Sequence, residues 1–148
     1  DEERETSIVD LEILTERLAA LLERHETPMV VEGHYACDAV PSNLVSHAFV
    51  LRKAPWRLRE ELAARGYAEE KVRENVEAEL VDVCLVEAVE ALGPELVCEI
   101  DATDRPPAEV AEEILSIVQG RGPCRRGEID WLAHPESRGL LEGRGECT

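Results

Sequence analysis

The chain has few aromatic residues and no long apolar stretch. Its 148 residues include two Trp, two Tyr and one Phe, although 44% of all residues are hydrophobic. We therefore expect a core built mainly from Leu, Val, Ile and Ala, in a chain long enough for one domain. No apolar run approaches the roughly 18 to 20 residues that a membrane-spanning helix needs, so the sequence does not predict membrane insertion.

The sequence also lacks a recognisable targeting segment at its start. It opens with Asp1-Glu2-Glu3-Arg4-Glu5, which is neither a signal peptide nor a basic amphipathic presequence. The cytoplasm is therefore the expected location. Because the first residue is not Met, we expect the sequence to be either processed or a piece of a longer one.

Cysteines are few, and none of them forms a Cys-x-x-Cys pair. Without that spacing, and with an odd number of cysteines, the sequence predicts reduced thiols rather than a disulfide framework or a zinc ribbon. His34 and Cys37 have a spacing that suits a metal, but they supply only two of the four ligands of a structural zinc site. The five cysteines are Cys37, Cys84, Cys98, Cys124 and Cys147.

The net charge is −17, and it is unevenly placed. Residues 52–73 hold seven basic and four acidic side chains, a balance of +3, which leaves −20 for the rest of the chain. Such an acidic protein is not expected to bind nucleic acid nonspecifically, because that binding depends on Lys and Arg neutralising phosphates. The basic island fits either a small phosphorylated ligand or a solvated helix with paired charges. Its cations are Arg52, Lys53, Arg57, Arg59, Arg65, Lys71 and Arg73.

Helical and strand patterns alternate along the first 119 residues. This alternation predicts an α/β fold with a parallel sheet and crossover helices. Residues 120–148, rich in glycine and arginine, are predicted to form a tail in which Ile129-Asp130-Trp131 anchors to the body. The predicted elements are a helix capped by Asp10 that includes Leu11 to Leu22, strands at 29–32, 48–51 and 96–100, and helices at 55–64, 69–92 and 107–118.

Two polar residues follow the first predicted strand. Glu32 and His34 would lie at the carboxyl edge of a parallel sheet, where ligands of open α/β folds bind. Phosphoryl transfer uses an acid in such a place to hold Mg²⁺ or its waters, and a polar group to orient the attacking oxygen. A strand-terminal acid and a surface imidazole are the alternative interpretation.

Arg65-Gly66-Tyr67, followed by Lys71, Asn75 and Glu79 at intervals of four residues, carries a family resemblance. With Glu32-x-His34, this pattern resembles the small archaeal and eukaryotic adenylate kinases of the isoenzyme 6 type, which also act as ribosome-biogenesis ATPases. The resemblance covers roughly residues 7 to 119. It implies a P-loop nucleoside-monophosphate-kinase-like parallel sheet with flanking helices. Because no G-x-x-x-x-G-K-[ST] motif occurs, the first strand or strands and the P-loop are expected to be missing.

The resemblance also implies roles for four cations. Arg65 opens a short lid, about residues 64–74, where its guanidinium would contact ATP phosphates, and Lys71 and Arg73 would add charge as the lid closes. Arg105 would stack on or flank the adenine. The structural alternatives are a plain helix C-cap at Arg-Gly-Tyr and capping of the next helix by Thr103 or Asp104.

The function implied by the resemblance is that of an adenylate kinase with ATPase activity. It would transfer phosphate from ATP to AMP with Mg²⁺ held indirectly by Glu32, and assist small-ribosomal-subunit maturation through a small-subunit ribosomal protein. The alternative is an inactive, truncated or remnant kinase domain that only binds a protein. In the kinase sheet the P-loop strand separates the two strands predicted here at 29–32 and 48–51, so we expect these two strands to be parallel but unpaired.

Overall fold

The computed structural model describes residues 9–141, and it contains two β-strands joined by helices. Within these residues no helix is both long and apolar enough to cross a membrane. The strands are β1 (Ala48–Arg52) and β2 (Val97–Asp101). The helices are α1 (Leu11–Arg24), α2 (Ala36–Ala39), α3 (Pro55–Ala64), α4 (Glu69–Leu80), α5 (Val83–Leu92), α6 (Pro107–Val118) and α7 (Arg138–Leu141), with short 3-10 turns at Ser42–Leu44 and Pro135–Ser137.

The two strands form a parallel sheet with helices on both faces. The register runs from Ala48 opposite Val97 to Arg52 opposite Asp101. Because successive strand residues point to opposite faces, Val50 and Val97 pack against α5, whereas Cys98 and Ile100 pack against α6. The α/β class, with a parallel sheet flanked by helices, is confirmed.

A third apolar cluster lies beyond the carboxyl end of β1, between α3, α4 and the turn that contains Trp131. Val72, Val76 and Leu80 of α4 are buried there together with Ala54 and Trp131. These α4 residues recur every four positions and so share one face of the helix. The tail therefore contacts the body through Trp131.

The prediction of a single helix at 69–92 is wrong, because the helix is interrupted between α4 and α5. Asp82 adopts a left-handed conformation with φ of 59° and ψ of 28°. Its carboxylate binds the guanidinium of Arg52, whose Nη2 also donates to the backbone oxygen of Glu79 at 3.2 Å. The interruption lets Asp82 and the Glu79 carbonyl bind the buried guanidinium of Arg52 in β1. Helical periodicity does not reveal this interaction, because it depends on a distant element.

The strand predicted at 29–32 is also wrong. Met29, Val30, Val31 and Glu32 have no strand conformation, and Val30 is 95% exposed. A strand forms only when its backbone groups find a neighbour, and β1 pairs with β2. Within residues 9–141 the sheet has only these two strands, so the expected pair of parallel, unpaired strands is not observed.

Asp10 caps α1 as predicted, yet α1 buries none of its residues. The Asp10 carboxylate accepts a hydrogen bond from the backbone N–H of Ile13 at 3.2 Å. The leucines of α1 remain exposed or half-buried, with α2 as its main neighbour. Local pattern and capping are therefore enough for this helix, although its apolar stripe lacks a tightly packed partner among the described residues.

The prediction that the cysteines are all reduced is wrong for two of them. Cys98 and Cys124 form a disulfide with Cα atoms 5.1 Å apart, across a separation of 26 residues. The fold brings them together because the chain after α6 returns along β2, where Glu99 N–H donates to the Arg125 carbonyl at 2.7 Å. Among the described cysteines, Cys37 and Cys84 are free; Cys147 lies outside the described residues.

Candidate nucleotide-binding site

Arg65-Gly66-Tyr67 ends α3 in a Schellman motif. Gly66 N–H donates to Ala63 O at 3.0 Å and Tyr67 N–H donates to Leu62 O at 3.2 Å. Gly66 has φ of +79°, a conformation that glycine adopts without the strain of a Cβ. The C-cap interpretation is therefore correct for the backbone. The backbone hydrogen bonds of this cap do not involve the side chain of Arg65, which is exposed beside the start of α4.

The cations expected in the lid are on the surface. Arg65 precedes α4, and Lys71 and Arg73 lie in its first half, all three exposed. Lys71 Nζ is 5.5 Å from the ring centroid of Tyr67. Within residues 9–141 the side chains of Arg65 and Arg73 have neither an ion pair nor a hydrogen bond. Both guanidinium groups are thus open to a solution anion.

Glu32 and His34 lie in the exposed turn that precedes α2, around Gly33. Gly33 has φ of +146°, and its carbonyl accepts a hydrogen bond from Ala36 N–H at 3.2 Å. In the described part of the chain, no hydrogen bond or ion pair joins Glu32 or His34 to Arg65 or to the cations of α4. The structure presents these two groups to solvent without assembling them with the lid.

Arg105 ties the loop after β2 to α6. Its Nη1 donates to Glu113 Oε2 at 2.6 Å and to the Asp101 carbonyl at 2.9 Å, and its Nε is 4.0 Å from Glu109 Oε2. Because these oxygens occupy the edge of the guanidinium, an adenine could contact only its face.

The structural alternative, capping of α6 by Thr103 or Asp104, is not observed. The N-cap is Pro106, and no side chain caps it. Thr103 Oγ1 instead accepts a hydrogen bond from Ala54 N–H at 2.8 Å, which connects this loop to the end of β1. Asp104 binds Arg57 Nε at 3.1 Å.

Three of the seven cations in the basic island are committed to carboxylates. Lys53 binds Glu61 at 2.6 Å, and Arg57 binds Glu60 and Asp104. Arg52 is the third, and it is buried. The paired-charge interpretation is therefore correct for the part of the island next to β1. Arg59, like Arg65 and Arg73, forms no ion pair among residues 9–141.

Arg52 is the largest fully buried side chain, with 1% of its surface exposed. Its Nε donates to Glu79 Oε1 at 2.7 Å, and its two terminal nitrogens donate to Glu99 and Asp82. Burial lowers the pKa of this guanidinium, but the hydrogen bond and charge of Glu79, followed by those of Asp82, raise the pKa above its ordinary value. Arg52 therefore stays charged at the centre of three acids.

The carboxylates around Arg52 are held by further donors. Glu79 Oε1 also accepts from Trp131 Nε1 at 2.8 Å and from Lys53 N–H at 3.3 Å, and Glu99 accepts from Glu128 N–H at 3.3 Å. Buried ions need such partners, because desolvation is costly. The network joins β1, β2, the break between α4 and α5, and the tail.

Sequence reasoning missed this network. It treated Arg52 as one cation of the basic island, and Glu79 only as the last residue of the four-residue pattern that includes Lys71 and Asn75. One signal was available: Glu99 interrupts the apolar run from Leu96 to Ile100, and a charged residue in a buried strand requires a partner. The sequence contains many arginines, so the identity of that partner depended on the fold.

The side chains near Glu32 could bind Mg²⁺ only if a bound ligand supplied further oxygen atoms. Within residues 9–141 no group of three or more His, Cys, Asp or Glu side chains could hold a metal ion. Mg²⁺ is usually bound by one or two carboxylates together with waters and substrate phosphates. A single exposed Glu32 fits that mode, in which the phosphates supply the remaining oxygens.

Several curated archaeal proteins are similar to the chain over most of its length. It is 41% identical over 124 residues to the "Putative adenylate kinase" of Thermococcus onnurineus, covering 82% of this chain and 66% of that protein. The proteins of the same name in Methanothermobacter thermautotrophicus and Archaeoglobus fulgidus are 44% and 39% identical over 125 and 142 residues. The alignments cover 82% and 93% of this chain, and 71% and 72% of those proteins.

The chain thus spans about two thirds of the length of these curated relatives, and slightly less of the Thermococcus onnurineus protein. No protein-family model matches it.

Proposed function

This chain belongs to the family of those archaeal proteins that are named as adenylate kinases, and on that premise we propose that it transfers phosphate from ATP to AMP and also has ATPase activity. The observation that carries the proposal is the alignment of 124 to 142 residues with several such proteins. The guanidinium of Arg65, which is exposed and has no ion pair among residues 9–141, supports it, because a lid arginine must be free to meet phosphate.

In the proposed mechanism the lid cations move onto the nucleotide. Arg65 would donate two parallel hydrogen bonds to phosphate oxygens, a geometry that guanidinium provides and ammonium does not. Lys71 and Arg73 would add positive charge from the first turns of α4. Closure of the lid would exclude water, so that transfer to AMP is favoured over hydrolysis.

Glu32 and His34 would supply the acid and the polar group that phosphoryl transfer uses. Mg²⁺, when bound with ATP, neutralises charge that develops on the transferring group. Glu32 would accept hydrogen bonds from water around that ion, and His34 would orient the attacking oxygen. Arg105, held by Glu113, would flank the adenine with the face of its guanidinium.

For this activity, a phosphate cradle would have to be supplied by residues other than these 148. None of the glycines lies in a G-x-x-x-x-G-K-[ST] motif, whose backbone N–H groups and lysine bind the phosphates. Since phosphoryl transfer depends almost entirely on positioning and electrostatics, we expect the isolated chain to be inactive. A coupled assay of ATP plus AMP that shows turnover above background for the chain alone would contradict this expectation.

The decisive test of the lid uses the complete reading frame that contains this sequence. Arg65→Ala should lower kcat/KM by about a hundredfold or more if Arg65 stabilises transition-state charge. Arg59→Ala is the matched control, because Arg59 is also an exposed arginine of this region without an ion pair among the described residues. His34→Ala should reduce ATP hydrolysis at least as strongly as Arg65→Ala. Wild-type rates in both variants would leave only the capping and surface roles.

The proposal has two finer points, of which only the first comes from the resemblance. One is assistance to small-ribosomal-subunit maturation through a small-subunit ribosomal protein, and the other is a cytoplasmic location. A pull-down of the complete protein with purified small-subunit proteins would test the first. Specific capture without any kinase or ATPase activity would favour the alternative, a catalytically inactive protein-binding module, for which the missing phosphate-binding motif is the supporting observation.

A further inference from the structure

The segment that follows α6 is attached to β2 by one covalent bond and two hydrogen bonds. Cys98 of β2 is bonded to Cys124. Glu99 N–H donates to the Arg125 carbonyl at 2.7 Å, and Glu128 N–H donates to Glu99 Oε2 at 3.3 Å. Residues 121–137 are called the strap below.

The far end of the strap is attached to α4. Trp131 is 7% exposed and packs against Val76 and Leu80, while its Nε1 donates to Glu79 Oε1 at 2.8 Å. Ser137, which is fully buried, donates its hydroxyl hydrogen bond to the Trp131 carbonyl. The strap therefore extends from the sheet to α4, whose first half carries the proposed lid cations Lys71 and Arg73.

Between these two attachments the strap buries almost nothing. Of residues 121–130, only Gly122 and Ile129 are half-buried, and the others are exposed. The disulfide is consequently the main attachment of this part of the strap to β2. The two cysteines differ in exposure, because Cys98 is fully buried and Cys124 is an exposed residue.

We propose that the Cys98–Cys124 disulfide is a redox-sensitive latch, whose reduction releases the strap and loosens Trp131 from α4 while the sheet stays folded. The reductant is an external dithiol. This inference rests on the contacts of the strap and does not depend on the proposed kinase activity.

The reduction balances as a thiol–disulfide exchange. One thiolate of the dithiol attacks Sγ of Cys124, the sulfur–sulfur bond breaks, and Cys98 departs as a thiolate that takes up a proton. The second thiol of the reductant then attacks the mixed disulfide and frees Cys124. The protein gains two electrons and two protons, and the dithiol leaves as its cyclic disulfide.

Hydrogen exchange measured by mass spectrometry tests the latch on the full chain, oxidised and then reduced with dithiothreitol. We expect amide exchange in residues 121–137 to rise about tenfold or more on reduction, because loop-closing disulfides commonly shift such equilibria by one to three orders of magnitude. β1 and α3 should keep their protection. Cys124→Ser should show the fast exchange without reductant, since it removes the bond and leaves buried Cys98 in place.

Cys84→Ser is the matched control, because Cys84 is an exposed cysteine that is free. This variant should respond to dithiothreitol as the unmodified chain does. Unchanged strap exchange after complete reduction would overturn the proposal, because the disulfide would then restrain nothing. Loss of protection throughout the chain would overturn it as well, because the disulfide would then stabilise the whole domain rather than latch one segment.

Discussion

Helices α1 and α5 have apolar stripes, but only one of them is buried. α5 places Leu85, Ala88 and Leu92 in the core against the sheet, whereas α1 buries none of its residues. The same contrast holds for the regions around them, because Ala39 is the one buried residue in 9–47. Amphipathic spacing therefore predicts that a helix forms, and the availability of a partner surface decides whether it contributes to the core.

The contrast extends to the candidate site. Glu32 and His34 lie in the exposed region before β1, and the proposed lid cations lie on the outer surface of α3 and α4. The charges of Arg52 and Glu99 are buried between the better packed elements, with Glu79 and Asp82 half-buried beside them. The exposed charges of the proposed lid and the charges around Arg52 are thus separate sets, whereas Arg105 is both a candidate ligand contact and a partner of Glu113.

The largest difference between buried and exposed charges is expected when the buried cation is removed. Arg52→Leu should lower the free energy of unfolding by about 3 to 5 kcal/mol, because Glu79 and Glu99 would lose their main donor without regaining water. Arg59→Leu, on the exposed side of the same region, should change it by about 0.5 kcal/mol or less. Denaturant titration measures both, and equal effects would show that Arg52 is not the centre of the core's charge balance.

A matched pair of leucines tests the difference between the regions directly. Leu80 in α4 is 3% exposed and Leu21 in α1 is 45% exposed. Leu80→Ala should cost about 2 to 5 kcal/mol of unfolding free energy, because a cavity adds to the lost transfer term. Leu21→Ala should cost about 0.5 kcal/mol or less. A cost for Leu21→Ala close to that of Leu80→Ala would mean that α1 packs as firmly as α4, and the contrast would disappear.

Trp131→Phe sharpens the comparison by separating packing from hydrogen bonding. Phenylalanine keeps most of the apolar contact with α4 but cannot donate to Glu79, which retains Arg52 and Lys53 as donors. The expected cost is about 1 kcal/mol, the net value of a typical hydrogen bond. Trp56→Phe is the control, because its indole N–H has no hydrogen-bond partner within residues 9–141. Similar costs for both variants would assign the role of Trp131 to packing alone.

The smallest effect concerns Cys37, which lies at the boundary between the two regions and packs against the α5 cluster. Burial, followed by the charge of Asp38, raises the pKa of its thiol. Because the thiolate is the reactive form, alkylation of Cys37 at neutral pH should be slower than that of a free cysteine peptide. Its rate should continue to increase at pH values where the peptide has reached its plateau. Coincident pH profiles would show that Cys37 is solvated like the rest of 9–47.

Local signals located most elements and their ends. Asp10, Pro55, Gly66 and Gly93 mark helix boundaries because capping and backbone geometry depend on neighbouring residues alone. The strand at 29–32 and the unbroken helix at 69–92 were wrong for a shared reason. In each, the deciding interaction is with a distant element: a neighbouring strand in the first, and Arg52 in the second.

For the candidate site, the sequence identified the motif residues and left their surroundings open. It placed Arg65 correctly at the end of a helix, since Arg-Gly-Tyr determines the Schellman turn by itself. It could not show that Arg105 is held by Glu113, or that Thr103 accepts a hydrogen bond from Ala54 instead of capping α6. Those pairings join residues 8 and 49 positions apart, and side-chain type alone does not select them.

By itself, the sequence determined the α/β class, the capping of α1, the end of α3, the acidic character and the family resemblance, because each follows from composition or from residues close together in the chain. Only the tertiary structure decided that Arg52 is the buried cation, that Cys98 bonds Cys124, and that Trp131 reaches Glu79. The physical reason is that burial and pairing are properties of surfaces that meet. Parallel strands need long connections, so the residues that meet here are 26 to 52 positions apart.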